Sequence, residues 1–370
     1  MGIQELLKIA IDNHASDLHL RVGSAPTLRI YGALTPITGF APMTPRDVVL
    51  YFEEIATAEQ RKSFADRHEL DFEYSIRDYT RCRVNVMQQR STLSVAIRII
   101  PYTIPGLGDL NLPPVIRDLA MRRSGLILIT GAKGSGKSTT IAAMVEYLNE
   151  NVQRNIVTIE EPIEYVFKNK KCLIVQRNVG YDTESFDVAL VHALRHDPDI
   201  IVVGEIREIL TMQTAIRAAE TGHMVLGTMH TIDAAQTVNR ILDMFPDRQQ
   251  EQMRSELSQI LVAVVCQFLI PRKGNAGMVP ACEIMLSNNA IRNTIREGRI
   301  HQLYGQIQVS RKEGMQTLNQ ALTELMQKGM ITEEEAYNRA SMVDELKSLQ
   351  SSPRKSNQTA DQGEPSGRTG

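Results

Sequence analysis

One short segment of the chain combines glycine, lysine and serine in the order that phosphate binding requires. Residues 131–138 have the sequence GAKGSGKS, which fits the pattern G-x-x-x-x-G-K-[ST]. Backbone N–H groups of such a turn surround phosphate oxygens at the positive end of the helix that follows. Lys137 would bind the β and γ phosphates, and the Ser138 hydroxyl would bind Mg²⁺. The segment predicts a nucleoside triphosphate site; a glycine turn without a nucleotide is the alternative.

Charged side chains follow the other apolar runs in this half of the chain. They are Glu160, Glu161, Glu164, Glu205, Arg207 and His230. If these runs are parallel strands, their carboxyl ends meet at one edge of the sheet, where sites in α/β proteins form. A single glutamate after a strand usually lies in a solvated turn, but several such groups at one edge favour a catalytic site.

Roles can be assigned to three of these groups and to one further histidine. Glu205 is the expected acid on the metal side, acting directly or through water. Glu164, on a turn after Pro162, is the candidate base that positions and deprotonates water. His223 and His230 flank one apolar run, and a histidine near phosphates can donate a hydrogen bond. For His223 a structural capping role is an equal alternative.

Three arginines form a second candidate group in the first hundred residues. Arg81 and Arg83 are two apart on a predicted strand, so their side chains share a face, and Arg98 lies on the next strand. Guanidinium groups at a domain boundary can reach a γ-phosphate. A solvated basic face is the alternative, and the spacing alone does not choose.

Short apolar runs separated by helical segments predict a parallel sheet with crossover helices after residue 125. The expected strands are 126–130, 155–160, 199–204 and 223–229, and the expected helices are 139–150, 185–196, 210–220 and 234–244. After about residue 247 the pattern is mainly helical, and Thr332 should cap one helical segment, 331–349.

The first hundred residues predict a separate α+β module. It comprises a helix ending near Asn13, strands in 18–22, 27–32, 72–76, 80–89 and 93–100, and one helical segment over 45–67. Residues 101–114 are rich in proline and glycine, which indicates a linker or hinge. We therefore expect domains at 1–100 and 115–349, with 350–370 as a disordered tail.

Composition excludes several classes of protein. The 370 residues are 42% hydrophobic with a formal net charge of −2, which argues against nucleic acid as the main partner. The four cysteines form no CxxC pair, so buried reduced thiols are expected. The longest apolar run spans 260–270 and is interrupted by Gln267, too short to cross a bilayer. The chain is expected to be soluble and cytoplasmic.

Taken in order, several segments resemble one known family. They are ASDLHL (15–20), TRCRVNV (80–86), AIRIIP (96–101), GAKGSGKSTT (131–140), VTIEEPIEY (157–165), LRHDPDIIVVGEIRE (194–208) and TGHMVLGTMHT (221–231). The chain resembles the secretion ATPase superfamily of type II secretion and type IV pili, from about residue 4 to 349. AIRNTIRE (290–297) and GMQTLNQAL (314–322) are similar to segments of the branch that retracts pili.

This resemblance implies a fold and an assembly. The expected class is α/β, with an N-terminal PAS-like α+β domain, a RecA-like P-loop ATPase domain and a helical C-terminal region. The family implies a homohexamer that binds ATP and Mg²⁺ in the cleft between the domains. It also implies docking on an inner-membrane pilus platform protein at the cytoplasmic face, with membrane contact only through partners.

The resemblance also assigns residues. Nucleotide binding falls to Gly131, Ala132, Lys133, Gly134, Ser135, Gly136, Lys137, Ser138, Thr139, Arg81, Arg83 and Arg98. Glu164 becomes the catalytic glutamate of the acidic segment 160–164, Glu205 the Walker B acid, and His223 and His230 the histidine pair. Ser138 and Glu205 would hold Mg²⁺, the latter directly or through water.

The chain departs from the family pattern at three places. Glu161 stands where the family usually has Asp, Ala132 and Lys133 replace Pro and Thr, and Thr294 replaces Leu. The expected function is an ATP-hydrolysing motor for pilus retraction and twitching motility. The alternatives are an accessory or non-hydrolysing ring subunit, or an extension or secretion ATPase of the same superfamily.

Overall fold

The computed structural model describes residues 2–30, 32–76, 80–100, 103–274 and 277–351. Within these ranges the chain forms a six-stranded antiparallel sheet followed by a seven-stranded, mainly parallel sheet with flanking helices. The fold class is therefore α/β, with an N-terminal α+β domain and a C-terminal P-loop domain. Most of the expected tail (352–370) and two residues of the expected linker (101–102) lie outside the described residues.

The N-terminal domain has three helices on one face of its sheet. Its elements are α1 (Ile3–Asp12), β1 (Asp17–Arg21), β2 (Thr27–Ile30), β3 (Ala33–Pro36), α2 (Pro45–Ile55), α3 (Ala58–Arg67), β4 (Glu69–Ile76), β5 (Thr80–Gln89) and β6 (Thr92–Ile100). The strand order is β3-β2-β1-β6-β5-β4. Alternate residues of β5 such as Cys82, Val84 and Val86 are buried in the core that the helices share, so Arg81 and Arg83 occupy the opposite face.

One prediction for this domain was wrong, and one of its strands was missed. The single helical segment over 45–67 is two helices, because the chain turns at Ala56 and the Thr57 hydroxyl then caps α3 by accepting from the Gln60 N–H at 3.2 Å. Strand β3 was not predicted. All four of its residues are exposed, so the sequence has no apolar alternation to mark it.

The C-terminal domain is built around the predicted parallel strands. Its first elements are α4 (Val115–Ala120), β7 (Gly125–Thr130), α5 (Lys137–Asn151), β8 (Asn155–Glu160), β9 (Leu173–Asn178), α6 (Phe186–Ala193), β10 (Ile200–Val203), α7 (Ile209–Glu220), β11 (Met224–Met229), α8 (Ala234–Asp243) and α9 (Asp247–Ile260). Strands β7, β10 and β11 are buried at every position. That burial explains why continuous apolar runs located them in the sequence.

Three strands of this sheet were missed. They are β9, β12 (Leu261–Pro271) and β13 (Met278–Leu286), in a sheet ordered β13-β12-β7-β11-β10-β8-β9. The prediction of a mainly helical region after residue 247 was therefore wrong for β12 and β13. An apolar run that continues directly from a helix, as β12 continues from α9, does not reveal by periodicity where the helix ends.

The remaining residues form a helical region on β13. Its elements are α10 (Asn289–Arg296), α11 (Leu303–Val309), α12 (Leu318–Gln327), α13 (Glu333–Arg339), α14 (Val343–Ser351) and two short 3₁₀ turns (Ile300–Gln302, Arg311–Glu313). Thr332 caps α13 as predicted, although α13 and α14 are separate helices. The buried Asn319 amide donates to the Met342 carbonyl and to Glu345 of α14, which fixes the last helix on α12.

Two expectations about the chain's environment can be compared with the structure. Cys82, Cys172, Cys266 and Cys282 are all buried free thiols. None of the helices in the described ranges has the length and apolar character needed to span a bilayer.

A buried carboxylate predicts a pH effect on stability. Glu283 of β13 accepts from the Ala234 N–H at 2.8 Å, and burial raises its pKa to about 7. Because the folded state then holds the proton more tightly than the unfolded chain, this group's stabilising contribution is complete below about pH 4.5 and is lost as pH rises through 7. We expect the wild type to lose stability relative to Glu283→Gln, by on the order of 3 kcal/mol between pH 5 and pH 8.

Urea unfolding of both proteins across that pH range measures the difference. Glu184→Gln, at an exposed position, is the matched control and should follow the wild type. A wild-type-minus-variant difference that stays constant from pH 5 to pH 8 would show that Glu283 is ionised in the folded protein throughout.

Candidate active site

The glycine-rich turn lies between β7 and α5, as its sequence context predicts. Gly131, Gly134 and Gly136 have φ values of 140°, 81° and 88°, which only glycine adopts readily. A Cβ atom at Gly131 would lie 2.4 Å from the Gln267 carbonyl oxygen, so no larger residue fits there. The turn therefore brings the chain tightly around the first residues of α5, whose N-terminal N–H groups can bind an anion.

Lys137 is the first residue of α5, and its amine is held inside the turn. The side chain is buried, and Nζ donates to the carbonyl oxygens of Gly131 at 2.7 Å and Ala132 at 3.0 Å. Burial lowers the pKa of the amine, and the nearby charges of Glu205 and Glu164 oppose that shift. A phosphate entering the pocket would offer this lysine a charged partner in place of two neutral carbonyls.

A cavity of about 300 Å³ opens in front of the turn and is lined by both domains. The predicted site residues that line it are Arg83, Arg98, Lys133, Gly134, Lys137, Ser138, Glu164, Glu205 and His230. Apolar and aromatic side chains, among them Ile141, Phe167 and Phe186, line it as well. The cavity thus combines charged groups that suit phosphates with apolar surface that suits a flat ring.

The acidic segment after β8 contains one held carboxylate, Glu160, and two open ones, Glu161 and Glu164. Glu160 is largely buried and accepts from the Thr158 hydroxyl at 2.6 Å and the Gln176 amide at 3.1 Å; burial raises its pKa. Glu164 is exposed to the cavity, and no hydrogen bond or ion pair within the described ranges holds its carboxylate. Glu164 is therefore available to bind water, and Glu161, which is exposed to the same cavity, is the other open carboxylate of this segment.

Glu205 is the centre of a charged network at the end of β10. Arg207 Nη2 donates to Glu205 Oε2 at 2.5 Å, and His230 Nε2 lies 2.8 Å from Oε1. Because β10 and β11 are parallel neighbours, their carboxyl ends deliver Glu205 and His230 to the same place. Both carboxylate oxygens already have partners, so Glu205 is suited to act on a metal ion through water molecules bound to that ion.

Two arginines of the N-terminal domain face the cavity from adjacent strands. Arg83 and Arg98 lie directly opposite each other across β5 and β6. Acidic residues accompany them: Arg98 Nε lies 3.0 Å from Asp17 and Arg83 Nε lies 3.8 Å from Asp71. Like charges placed opposite each other on a sheet repel, so a bound anion would relieve the repulsion between these guanidinium groups.

The structure does not bring Arg81 to the cavity. Its guanidinium instead pairs with Glu73 of β4, and the other oxygen of Glu73 accepts from the Asn178 amide of β9 at 3.0 Å. Asn178 belongs to the C-terminal domain, so the three side chains connect the two domains beside the cavity. In this structure Glu73 holds the Arg81 side chain, and the expectation that Arg81 reaches the nucleotide stays a prediction.

His223 is also outside the cavity. It precedes β11, whereas His230 follows it, and a strand of six residues separates its ends by roughly 20 Å. Nδ1 of His223 lies 3.0 Å from the Ala218 carbonyl and 3.0 Å from the Thr221 hydroxyl at the end of α7. Within its own chain His223 therefore caps a helix, as the structural alternative expects, and its catalytic role stays a prediction.

Comparison with known proteins identifies the family of the chain. The family model described as "Type II/IV secretion system protein" matches residues 2–362. The chain belongs to the type II/IV secretion system protein family. It is 43% identical to the type IV pilus retractation ATPase PilT of Pseudomonas aeruginosa, over 92% of this chain and 98% of that protein. It is 37% identical to the type IV pilus ATPase PilU of the same organism, over 94% and 91%.

A solved structure of the same family supports the fold. A crystal structure of the pilus retraction motor PilT with bound ADP superposes with a TM-score of 0.86 at 44% identity. The match covers 94% of this chain and 99% of that one. The secretion-family fold therefore extends over both sheets and the helical region.

The three departures from the family pattern differ in where they lie. Glu161 and Lys133 both line the cavity. Thr294 is instead on the buried face of α10, where its hydroxyl accepts from the Gln306 amide at 2.6 Å. Thr294, which replaces leucine, thus has a polar partner inside the protein. This difference does not alter the exposed face of α10.

Sequence reasoning missed one polar residue that contacts the phosphate-binding turn. Gln267 lies on β12 and donates to the Ser135 carbonyl at 2.8 Å. It was noted only as an interruption of an apolar run. That interruption was the available signal, because a buried amide in an apolar strand requires hydrogen-bond partners.

Proposed function

We propose that the chain is an ATP-hydrolysing motor that retracts type IV pili by depolymerising pilin, and so drives twitching motility. The observation that carries the proposal is the cavity itself. It combines the Lys137 turn, four carboxylates and a histidine from one domain with two arginines from the other, in a chain that shares 44% identity with a pilus retraction motor.

Each side chain has a role that its position supports. Lys137 and the N–H groups of the turn bind the phosphates, and Glu164 accepts a proton from the attacking water. Arg83 and Arg98 neutralise charge that develops on the γ-phosphate. His230, held by Glu205 through Nε2, places its imidazole near the same phosphate.

Mg²⁺ fits the donors that are present. The Ser138 hydroxyl and the Glu205 carboxylate supply the oxygen chemistry that Mg²⁺ prefers. Residues 2–351, with their gaps, contain no group of three histidine, cysteine or acidic side chains able to enclose a metal by themselves. Ser138 would therefore bind the ion with phosphate oxygens and water. When bound, Mg²⁺ offsets negative charge on the phosphates.

The two-domain cavity also provides a means of coupling. Because the phosphates would contact residues of both domains, ATP binding should draw the domains together and hydrolysis should release them. The segment 103–114 contains no helix or strand and can absorb that movement. The proposed working form is a homohexamer docked, through a pilus platform protein, at the cytoplasmic face of the inner membrane.

Deletion of the gene in its host tests the direction of the motor. Loss of a retraction motor leaves excess surface pili without twitching, and loss of an extension motor leaves none. We expect excess pili in the deletion strain. A plasmid copy of the wild-type gene should restore the normal number of pili, and a copy carrying Lys137→Ala should not. A deletion strain without surface pili would contradict a role in retraction.

An accessory motor subunit is the second candidate, because one organism has two pilus ATPases, PilT and PilU, and this chain is similar to both over more than 90% of its length. In that case the deletion strain would keep twitching under at least some conditions, because a second ATPase would supply the hydrolysis.

A further inference from the structure

A single polar side chain interrupts the apolar strand beside the phosphate-binding turn. Gln267 is 2% exposed, and its strand neighbours include Cys266, which is fully buried. Strand β12 runs parallel to β7, and the last pair in their register is Cys266 with Thr130. Gln267 therefore follows the point where β7 ends and the turn begins.

Both ends of the Gln267 amide are bound to the turn and its helix. Nε2 donates to the Ser135 carbonyl at 2.8 Å, and Oε1 accepts from the Thr140 hydroxyl at 2.7 Å. Burying an amide without partners is unfavourable, so these two hydrogen bonds account for a glutamine in this strand. They connect three segments: β12, the turn and the first turn of α5.

The glycines of the turn are packed against this residue. A Cβ atom at Gly131 would lie 2.4 Å from the Gln267 carbonyl oxygen, and one at Gly136 would lie 2.7 Å from its Nε2. The turn thus bends around Gln267 from both sides. The residue sets the shape of the turn from beneath, without lining the cavity that the nucleotide would occupy.

The geometry of the peptide group explains how the contact between Gln267 and the turn affects a bound phosphate. The Ser135 carbonyl and the Gly136 N–H belong to one planar trans peptide group, so they point in opposite directions. Holding the carbonyl against Gln267 aims the Gly136 N–H away from β12. Without that hydrogen bond the peptide can rotate and present a carbonyl oxygen, which repels phosphate.

On this geometry, and resting on the proposed function, we propose that Gln267 is a positioning residue for the nucleotide. Its amide fixes the Ser135–Gly136 peptide so that the Gly136 N–H donates to a phosphate oxygen. Gln267 touches neither phosphate nor metal, and it acts only through the turn. Loss of the Gln267 amide should therefore lower phosphate affinity more than it lowers the stability of the fold.

Equilibrium binding of fluorescent ADP to the full-length protein tests this role. Gln267→Met keeps the length of the side chain and removes both hydrogen bonds, and we expect it to weaken ADP binding about tenfold. Gln320→Met is the matched control, because Gln320 is buried in α12 and bonds the Thr317 N–H and the Gln308 carbonyl. The control should lower the melting temperature similarly and leave ADP affinity unchanged.

A second pair of variants separates the two hydrogen bonds. In its ionised form Gln267→Glu can still accept from Thr140 but cannot donate to the Ser135 carbonyl, so at a pH that ionises this carboxyl it should also bind ADP weakly. Thr140→Val removes only the link to α5 and should bind more tightly than either. If Gln267→Met does not fold, these two variants test the proposal in its place.

The outcomes distinguish this role from the proposed function. Failure of the wild type to bind ADP would contradict the nucleotide site itself. Wild-type binding with equal affinity in Gln267→Met or Gln267→Glu would overturn the positioning role. An equal loss of affinity in Gln320→Met would overturn it as well, because the effect would then follow from lower stability.

Discussion

Replacing Glu164 with glutamine should reduce ATP turnover about 100-fold or more while ADP and ATP still bind. The amide keeps the shape of the side chain but cannot accept a proton from water. Glu164 is exposed to the cavity and has no protein partner in the described ranges, whereas Glu160 is held by Thr158 and Gln176. Steady-state phosphate release and fluorescent ADP binding measure the two effects separately.

Glu184→Gln provides the matched control for Glu164→Gln, because it makes the same change at an exposed position that does not line the cavity. It should hydrolyse ATP at the wild-type rate. If Glu164→Gln turns over ATP within a few-fold of the wild-type rate, another group acts as the base. Glu161 would then be the next carboxylate to examine.

Replacing Lys137 with alanine should weaken nucleotide binding by at least about 100-fold, since hydrogen bonds to charged groups contribute roughly 1.5–3 kcal/mol each. The Lys137 amine is buried and already positioned by the Gly131 and Ala132 carbonyls, so little further ordering is needed when phosphate arrives. The variant should therefore lose both ADP binding and phosphate release.

Lys133→Ala removes the same charge from the same cavity and is the matched comparison. Lys133 is exposed, so solvent screens its charge and its loss should weaken binding only a few-fold. Equal losses in the two variants would mean that the overall positive charge of the turn, rather than the position of Lys137, determines affinity.

The predictable part of the fold is the part where burial imposes a simple pattern. Strands β7, β10 and β11 are buried on both faces and are visible as apolar runs. Edge strand β9 is half-exposed and carries Gln176, Arg177 and Asn178, so no such run marks it. Strand β12 continues directly from α9, and the end of the helix depends on pairing with β7, which is a long-range contact.

The site was predictable where sequence order determines position. A residue after a parallel strand lies at the carboxyl edge, which placed Glu164, Glu205 and His230 together. His223 precedes its strand, and by the same rule it lies at the opposite edge. Arg81 shares a face with Arg83, but its partner Glu73 and the interdomain contact to Asn178 depend on tertiary packing that spacing does not show.

Phosphate release from Mg²⁺-ATP by the purified full-length wild type is the most direct test of the central claim, that this cavity hydrolyses ATP. We expect release above the protein-free rate, dependent on Mg²⁺ and abolished in Lys137→Ala and Glu164→Gln. An assembled wild-type ring that binds ATP and releases no phosphate would contradict the claim, and it would indicate a subunit that relies on a second ATPase.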